Sequence, residues 1–207
     1  MDDDLERGAA RADFCRFLAA SFYEPGPEFA EEGLFDSMLD VASRIDPDLA
    51  ECARRLGEAF GAAPLEELLV DYTRLFLGPI DPFATPYGSV WMSAEKTLMQ
   101  DSTMAVLELY DAGGFEIAED FRELPDHIAA ELEFLYLLLF RESRARRDAQ
   151  PQALSEAVDL KRRFLGEHLG RWATPFSEAL TAGAQSDFYR ELGRLTGRFV
   201  AMEARRQ

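Results

Sequence analysis

Asp126, His127 and Glu131 are the residues whose types and spacing could hold a metal ion. His127 and Glu131 would share one helix face because they lie four residues apart, and Asp126 is adjacent. A stable site needs three or four ligands, however, and the other histidine, His168, is distant in the sequence. A metal-binding helical protein is therefore one interpretation. The alternative is a histidine at a helix start that is bonded to a neighbouring carboxylate.

The residue patterns of other catalytic chemistry are missing. Nucleophilic catalysis needs a nucleophile, a base and an orienting group, and the chain has only two histidines and two cysteines. No serine lies in a GxSxG motif, and neither GxxxxGK[ST] nor GxGxxG occurs. The sequence therefore predicts a protein that is not an enzyme and has no bound metal or cofactor.

The remaining pattern suits the binding of a peptide. The segment 78–88 has three prolines and two glycines, so it is predicted to be an ordered loop. This loop carries Phe83 and Tyr87, and Trp91 follows it. A second, acidic segment carries Glu119, Asp120, Glu123 and Asp126. Aromatic anchors beside fixed carboxylates would hold a segment with arginines and an apolar stretch. The alternative is that Tyr87 and Trp91 belong to the core.

The charge of the chain limits its partners. There are 39 acidic and 22 basic residues, a net charge of −17, and residues 108–133 contain nine acids but only one basic residue, Arg122. Nucleic acids and anionic membranes are disfavoured because both are negatively charged. A cationic partner would be steered towards such a surface. The alternative is that the charge only maintains solubility.

Helical periodicity dominates the sequence, which predicts an all-α, single compact domain over 1–207 with about nine or ten helices. The stretch after His127 is apolar on nearly all sides and should form the central helix. Residues 143–150 are expected to be a charged connection, and Thr174-Pro175 is expected to begin a short helix. A hinge is predicted near 77–90 or 141–151.

Several features indicate a cytoplasmic protein. Cys15 and Cys52 form no CxxC motif, which is typical of a reduced compartment. The acidic first residues are unlike a secretory signal, and the longest apolar run, Phe134 to Phe140, is too short to span a bilayer. No integral membrane segment is expected. A monomer and a domain-exchanged dimer both stay open.

Four motifs together resemble a known family. They are Tyr72-x-x-Leu75-Phe76-x-Gly78-Pro79, Pro86-Tyr87-Gly88-Ser89-Val90-Trp91, Asp101-Ser102-Thr103 and Glu123-Leu124-Pro125-Asp126-His127. Their order and spacing resemble the TorD/DmsD family of redox-enzyme maturation proteins, to which NarJ is related. These proteins are chaperones for molybdoenzymes that are exported by the twin-arginine pathway.

The resemblance implies a TorD-like helical fold and a chaperone function. The expected partner is the twin-arginine signal peptide of a molybdopterin oxidoreductase precursor, which is held until cofactor insertion and export. The family's peptide-binding region carries over to these positions: Leu75, Pro86, Tyr87, Trp91, Glu123, Asp126 and His127. We expect Asp126 and Glu123 to hold the arginines, Tyr87 and Trp91 to contact the apolar part, and His127 to orient Asp126.

Two departures from the family pattern concern this region. The family's loop is often Glu-Pro-x-Asp-His, whereas here the proline directly precedes Asp126, and position 87 is tyrosine where some members have tryptophan. The first bears on the shape of the loop and the second on the choice of partner. The family also suggests guanine-nucleotide binding near Asp126, His127 and Glu131 as a second alternative.

Overall fold

The chain is described by a computed structural model that covers residues 2–78, 82–93, 97–118 and 121–206. In these residues the chain is α-helical, and β-pairing is limited to one isolated bridge. The helices are α1 Asp2–Ala20, α2 Glu28–Glu31, α3 Leu34–Ile45, α4 Pro47–Ala62, α5 Leu65–Tyr72, α6 Gly88–Met92, α7 Asp101–Ala112, α8 Ile128–Arg147, α9 Pro151–Glu167, α10 Leu169–Gly183 and α11 Asp187–Arg205. The predicted all-α class is confirmed.

The described residues form eleven α-helices, somewhat more than the nine or ten predicted. The difference comes from very short helices such as α2 and α6, which have four and five residues and are too short for a periodic pattern. Helix α5 also continues into a π-helical turn, Thr73–Leu77. Such a turn has no signature in the spacing of apolar residues.

Helix α8 is the centre of the fold, as its sequence predicted. It packs against α1 on one side and α9 on another, and buried residues occur all round it. The fully buried ring of Phe134 lies 4.8 Å from the ring of Tyr110, 5.5 Å from that of Phe115 and 4.9 Å from that of Phe164. This aromatic cluster ties α7 and α9 to the central helix.

Two expectations about helix ends are wrong. Helix α8 continues to Arg147, because the carboxylate of Glu142 pairs with Arg146 one turn later and with the buried Lys161 of α9. Pro175 lies inside α10 instead of beginning a helix. The fully buried Trp172 and Phe176 hold this helix in the core, and their packing offsets the backbone hydrogen bond that a proline removes.

The single domain and its hinge stay predictions. Part of the first proposed hinge, 79–81, lies outside the described residues. In the second region, 141–151, only residues 148–150 separate α8 from α9. Among the described helices, none combines the length and the apolar character needed to cross a membrane.

Replacement of Phe134 by alanine should destabilise the fold by about 3–5 kcal/mol, because it leaves a cavity among three other rings. Phe140 is a matched control on the same helix, since its side chain is 40% exposed. Urea unfolding followed by circular dichroism measures both variants. Equal losses for Phe134→Ala and Phe140→Ala would contradict the central position of Phe134.

Candidate functional site

The two predicted segments of the site meet through their backbones. Tyr87 and His127 form an antiparallel bridge. On either side of it, the Gly88 N–H donates to the Asp126 carbonyl at 2.9 Å and the Ile128 N–H donates to the Pro86 carbonyl at 2.8 Å. These bonds fix the loop before α6 against the turn before α8. The structure therefore brings together residues that are almost forty positions apart.

Asp126 lies at the centre of this junction and is fully buried. Its Oδ2 accepts a hydrogen bond from the backbone N–H of Ser89 at 2.8 Å, at the first turn of α6. Its Oδ1 is also buried and has no hydrogen-bond partner among the described residues, and the same is true of the Ser89 hydroxyl. The Oδ2 atom is thus fixed, and Oδ1 can still accept a hydrogen bond.

A buried polar network lies directly below the junction. Glu131 of α8 is fully buried, with Oε1 2.8 Å from Nε2 of His168 and Oε2 accepting from the indole N–H of Trp172 at 3.0 Å. Burial raises the pKa of Glu131. Burial alone would lower the pKa of His168, but the charge of Glu131 and their hydrogen bond raise it. The network joins α8 to α10 beneath the site.

Gly88 allows α6 to approach this network closely. A Cβ atom at this position would lie 2.9 Å from Nε1 of Trp172 and 3.1 Å from Oε1 of Glu131. Both neighbours are held by the hydrogen bond between them, so neither side chain can move away without breaking it. Only glycine fits here.

His127 does not orient Asp126, contrary to the expectation from the sequence. It is the N-cap of α8, and its Nδ1 accepts from the N–H of Ala129 at 3.1 Å. The ring lies edge-on between Tyr87, at 5.3 Å, and Phe121, at 6.2 Å. Burial lowers the pKa of His127 to about 4, although Glu123 and Asp126 oppose that change, so the imidazole is neutral at pH 7.

Tyr87, Glu123 and Trp91 form the exposed part of the site. The hydroxyl of the half-buried Tyr87 donates to the carboxylate of the exposed Glu123. Burial and this bond raise the pKa of Tyr87. Trp91 is half-buried; its indole N–H donates to the Thr85 carbonyl at 2.8 Å, and its ring lies 6.2 Å from that of Phe176. Trp91 therefore packs against the core and is also partly exposed to solvent.

Leu75 and Pro86 lie below the surface. Leu75 is fully buried in the π-helical turn, and its carbonyl accepts from the Ala84 N–H at 3.0 Å. Pro86 is buried too, and its carbonyl is part of the junction with α8. These two residues hold the loop in place and present no surface to a ligand in this conformation.

The residues of the metal and nucleotide alternatives are bonded within the chain. Asp126 binds Ser89, Nδ1 of His127 binds Ala129, and Glu131 binds both His168 and Trp172. Within the described ranges, no three of the histidine, cysteine, aspartate and glutamate side chains converge as metal ligands. His127 and Glu131 therefore do not form the shared ligand face that their spacing suggested.

His168 and Trp172 are parts of the site region that the sequence did not reveal. His168 lies at the N-cap of α10 and Trp172 lies in its first turns, but nothing in the sequence shows that this end of the helix meets Glu131. Phe121 was missed because it stands alone in an acidic segment, and it packs against the His127 ring. Long-range contacts of this kind have no local pattern.

Comparison with known proteins identifies the family. Residues 42–178, which include every predicted site residue, match the family described as nitrate reductase delta subunit. The chain belongs to this family. As a member of the nitrate reductase delta subunit family, it has the TorD and DmsD relatives that its motifs predicted, and that prediction is confirmed.

Individual relatives are moderately similar to this delta subunit family member. Chaperone protein TorD of Vibrio cholerae is 30% identical over 138 residues, which are 66% of this chain but only 60% of that protein. The Tat proofreading chaperone DmsD of Salmonella typhimurium is 28% identical over 181 residues, 87% of this chain and 82% of that protein. These are names of chaperones, in agreement with the prediction that the chain is not an enzyme.

A solved structure supports the fold. The crystal structure of an Archaeoglobus fulgidus protein, described as a redox enzyme maturation protein, superposes with a TM-score of 0.57. The match covers 92% of this chain and 93% of the other, at 21% identity. At that identity, the likeness establishes the helical architecture of the delta subunit family and nothing about the ligand.

Gly88→Ala should destabilise the protein by about 1–3 kcal/mol, because the added methyl group overlaps the Trp172–Glu131 pair. Gly61→Ala is the control, since a Cβ there meets no atom within 4 Å and Gly61 lies in a helix, where alanine is favoured. Urea unfolding compares the two variants. A stabilised Gly88→Ala protein would show that α6 does not pack closely on the network.

The stability of the protein should fall as the pH decreases from about 6.5 to about 4, in part because of His127. In this range the unfolded chain binds a proton at His127, while the folded chain, with its lowered pKa of about 4, does not. Protonation therefore favours unfolding. His127→Asn keeps an N-cap acceptor but does not titrate, so its stability should depend less steeply on pH in this window.

Urea unfolding at several pH values, with wild type and His127→Asn side by side, isolates this contribution. The carboxylates and His168 are the same in both proteins, and the raised pKa of His168 acts in the opposite direction, since its contribution is lost as the pH rises. Parallel pH profiles of the two proteins would contradict the burial of a neutral His127.

Proposed function

We propose that this protein is a system-specific chaperone that binds the twin-arginine signal peptide of a molybdopterin oxidoreductase precursor. It holds the precursor in the cytoplasm until the cofactor has been inserted and export can begin. Membership of the nitrate reductase delta subunit family supports this proposal, as do relatives that are named TorD chaperone and Tat proofreading chaperone.

The observation that carries the proposal is the junction between the two predicted segments. It places the half-exposed rings of Tyr87 and Trp91 on the same loop-and-helix unit, with Glu123 bonded to Tyr87 and Asp126 directly beneath. A signal peptide with adjacent arginines and an apolar stretch needs both kinds of group. Aromatic side chains supply apolar contact area at little entropic cost, and carboxylates supply charge-assisted hydrogen bonds.

Asp126 has a defined role in this proposal even though it is buried. A peptide arginine that pairs with Glu123 competes with the Tyr87 hydroxyl for that carboxylate. Once Tyr87 moves, the arginine gains access to Oδ1 of Asp126, an acceptor without a partner in the described part of the chain. In the absence of the peptide, the Tyr87–Glu123 hydrogen bond therefore keeps the Asp126 carboxylate covered.

The other predicted residues support this arrangement from below. Leu75 and Pro86 fix the loop that carries Tyr87, and His127 caps α8 and packs against the Tyr87 ring. We assign the apolar part of the peptide to Tyr87 and Trp91. A change at Leu75 or Pro86 would act on binding through the position of these two rings.

Asp126→Asn and Tyr87→Ala should each weaken peptide binding roughly tenfold, because a hydrogen bond to a charged group contributes about 1.5–3 kcal/mol and a buried aromatic contact a similar amount. Asparagine can still accept from the Ser89 N–H, so the fold should persist. The probe is a synthetic peptide with two adjacent arginines followed by a run of leucines, titrated by calorimetry. Tyr136→Ala is the control, a half-buried tyrosine of α8 whose ring packs on Phe140.

Circular dichroism and thermal unfolding show whether each variant is folded. Wild-type affinity in both folded variants would remove the junction from the binding site. No measurable binding of the peptide to the wild-type protein would overturn the proposed function itself.

A further inference from the structure

A pocket lies next to the peptide site that we propose, since Phe121 in its wall packs against His127 of that site. It has a volume of about 340 Å³, in the range of sites that hold small ligands or single large side chains. Its walls include the rings of Tyr23, Phe115 and Phe121, and its polar groups are the carboxylates of Glu116 and Glu133.

The aromatic walls of this pocket are fixed by the core and by the site. The Phe115 ring packs 4.9 Å from that of Tyr110 and 5.5 Å from that of Phe134, so it belongs to the central aromatic cluster. The Phe121 ring lies 6.2 Å from that of His127, whose other neighbour is Tyr87. A continuous row of rings therefore links the pocket to the peptide site.

The carboxylates of the pocket have no counterion among the residues that the structure describes. Glu133 is half-buried on α8, and its Oε1 accepts from the Tyr23 hydroxyl at 2.7 Å. Neither Glu133 nor Glu116 pairs with a basic side chain in the part of the chain that the structure describes. By contrast, glutamates on other helices have local partners, as Glu51 and Glu58 do in Arg54.

We propose that this pocket binds the side chain of one arginine of the signal peptide. This inference rests on the proposed function, and it states which residues hold the second arginine of the pair. In an extended peptide, adjacent side chains point in opposite directions, so two neighbouring arginines need two separate acidic sites. The Glu123–Asp126 site and the Glu116–Glu133 pocket flank the same turn and supply them.

The chemistry of the pocket favours arginine over lysine. A guanidinium group is planar, so it stacks on aromatic rings, and it donates several hydrogen bonds in its plane to a carboxylate. The Oε2 atom of Glu133 faces no donor among the described residues, while Oε1 is held by Tyr23. The ammonium group of a lysine would pair with the carboxylates, but it could not stack on the aromatic rings.

Glu133→Gln tests the charge of the pocket. The amide oxygen still accepts from Tyr23, so the change removes the negative charge with little effect on shape. We expect the affinity for the peptide with adjacent arginines to fall roughly tenfold, as for the loss of a charge-assisted hydrogen bond. Glu178→Gln, an exposed position on α10, changes the net charge equally and should have a much smaller effect.

Phe121→Leu tests the aromatic wall. A second peptide has lysines in place of both arginines and the same net charge. The wild type should prefer the arginine peptide, and Phe121→Leu should reduce that preference about threefold, the size of an exposed cation–π contact. Its affinity for the lysine peptide should change little. Circular dichroism and thermal unfolding verify that both pocket variants are folded.

Two outcomes overturn the inference and leave the proposed function intact. One is equal binding by Glu133→Gln and Glu178→Gln, which would show that only the overall charge matters. The other is an unchanged preference for arginine in Phe121→Leu. In both cases the Tyr87→Ala protein would still have lost affinity. If the wild type fails to bind the arginine peptide, the proposed function and this inference fall together.

Discussion

The pairing of residues 86–88 with residues 126–128 is the constraint on which the site depends. Two main-chain hydrogen bonds and the bond from the Ser89 N–H to Asp126 hold a proline-rich loop against the start of the central helix. Without this pairing, the loop would have few backbone partners, because the prolines supply no N–H groups. With it, aromatic and acidic side chains from distant parts of the chain are fixed beside one another.

The polar network of Glu131, His168 and Trp172 lies beneath this pairing and supports it. A buried carboxylate is costly unless its oxygens are satisfied. Here one oxygen of Glu131 bonds to His168, between α9 and α10, and the other bonds to Trp172 of α10. Because Gly88 rests against this network, α6 and Trp91 take their positions from it. The exposed surface that we propose for the peptide is thus supported by buried groups.

The sequence predicted the fold class and the central helix, because these follow from periodicity, and motif order predicted that the segments around Tyr87 and Asp126 belong together, as their backbone pairing shows. It did not predict which of these side chains are buried. Leu75 and Asp126 lie on recognisable motifs, yet their burial depends on α10 and on the π-helical turn, which leave no local signal. The prediction at Pro175 was wrong for the same reason. The residues that pack around α10, and not the backbone preference of proline, decide that this helix is continuous.

The long-range origin of the Glu131 network has a consequence for synthesis of the protein. The chain leaves the ribosome from its amino end, and His168 and Trp172 are among the last fifth of its residues. A nascent chain that ends within α9 contains both halves of the junction, but Glu131 then lacks both His168 and Trp172. The surface that we propose for the peptide is therefore completed only after α10 has been made.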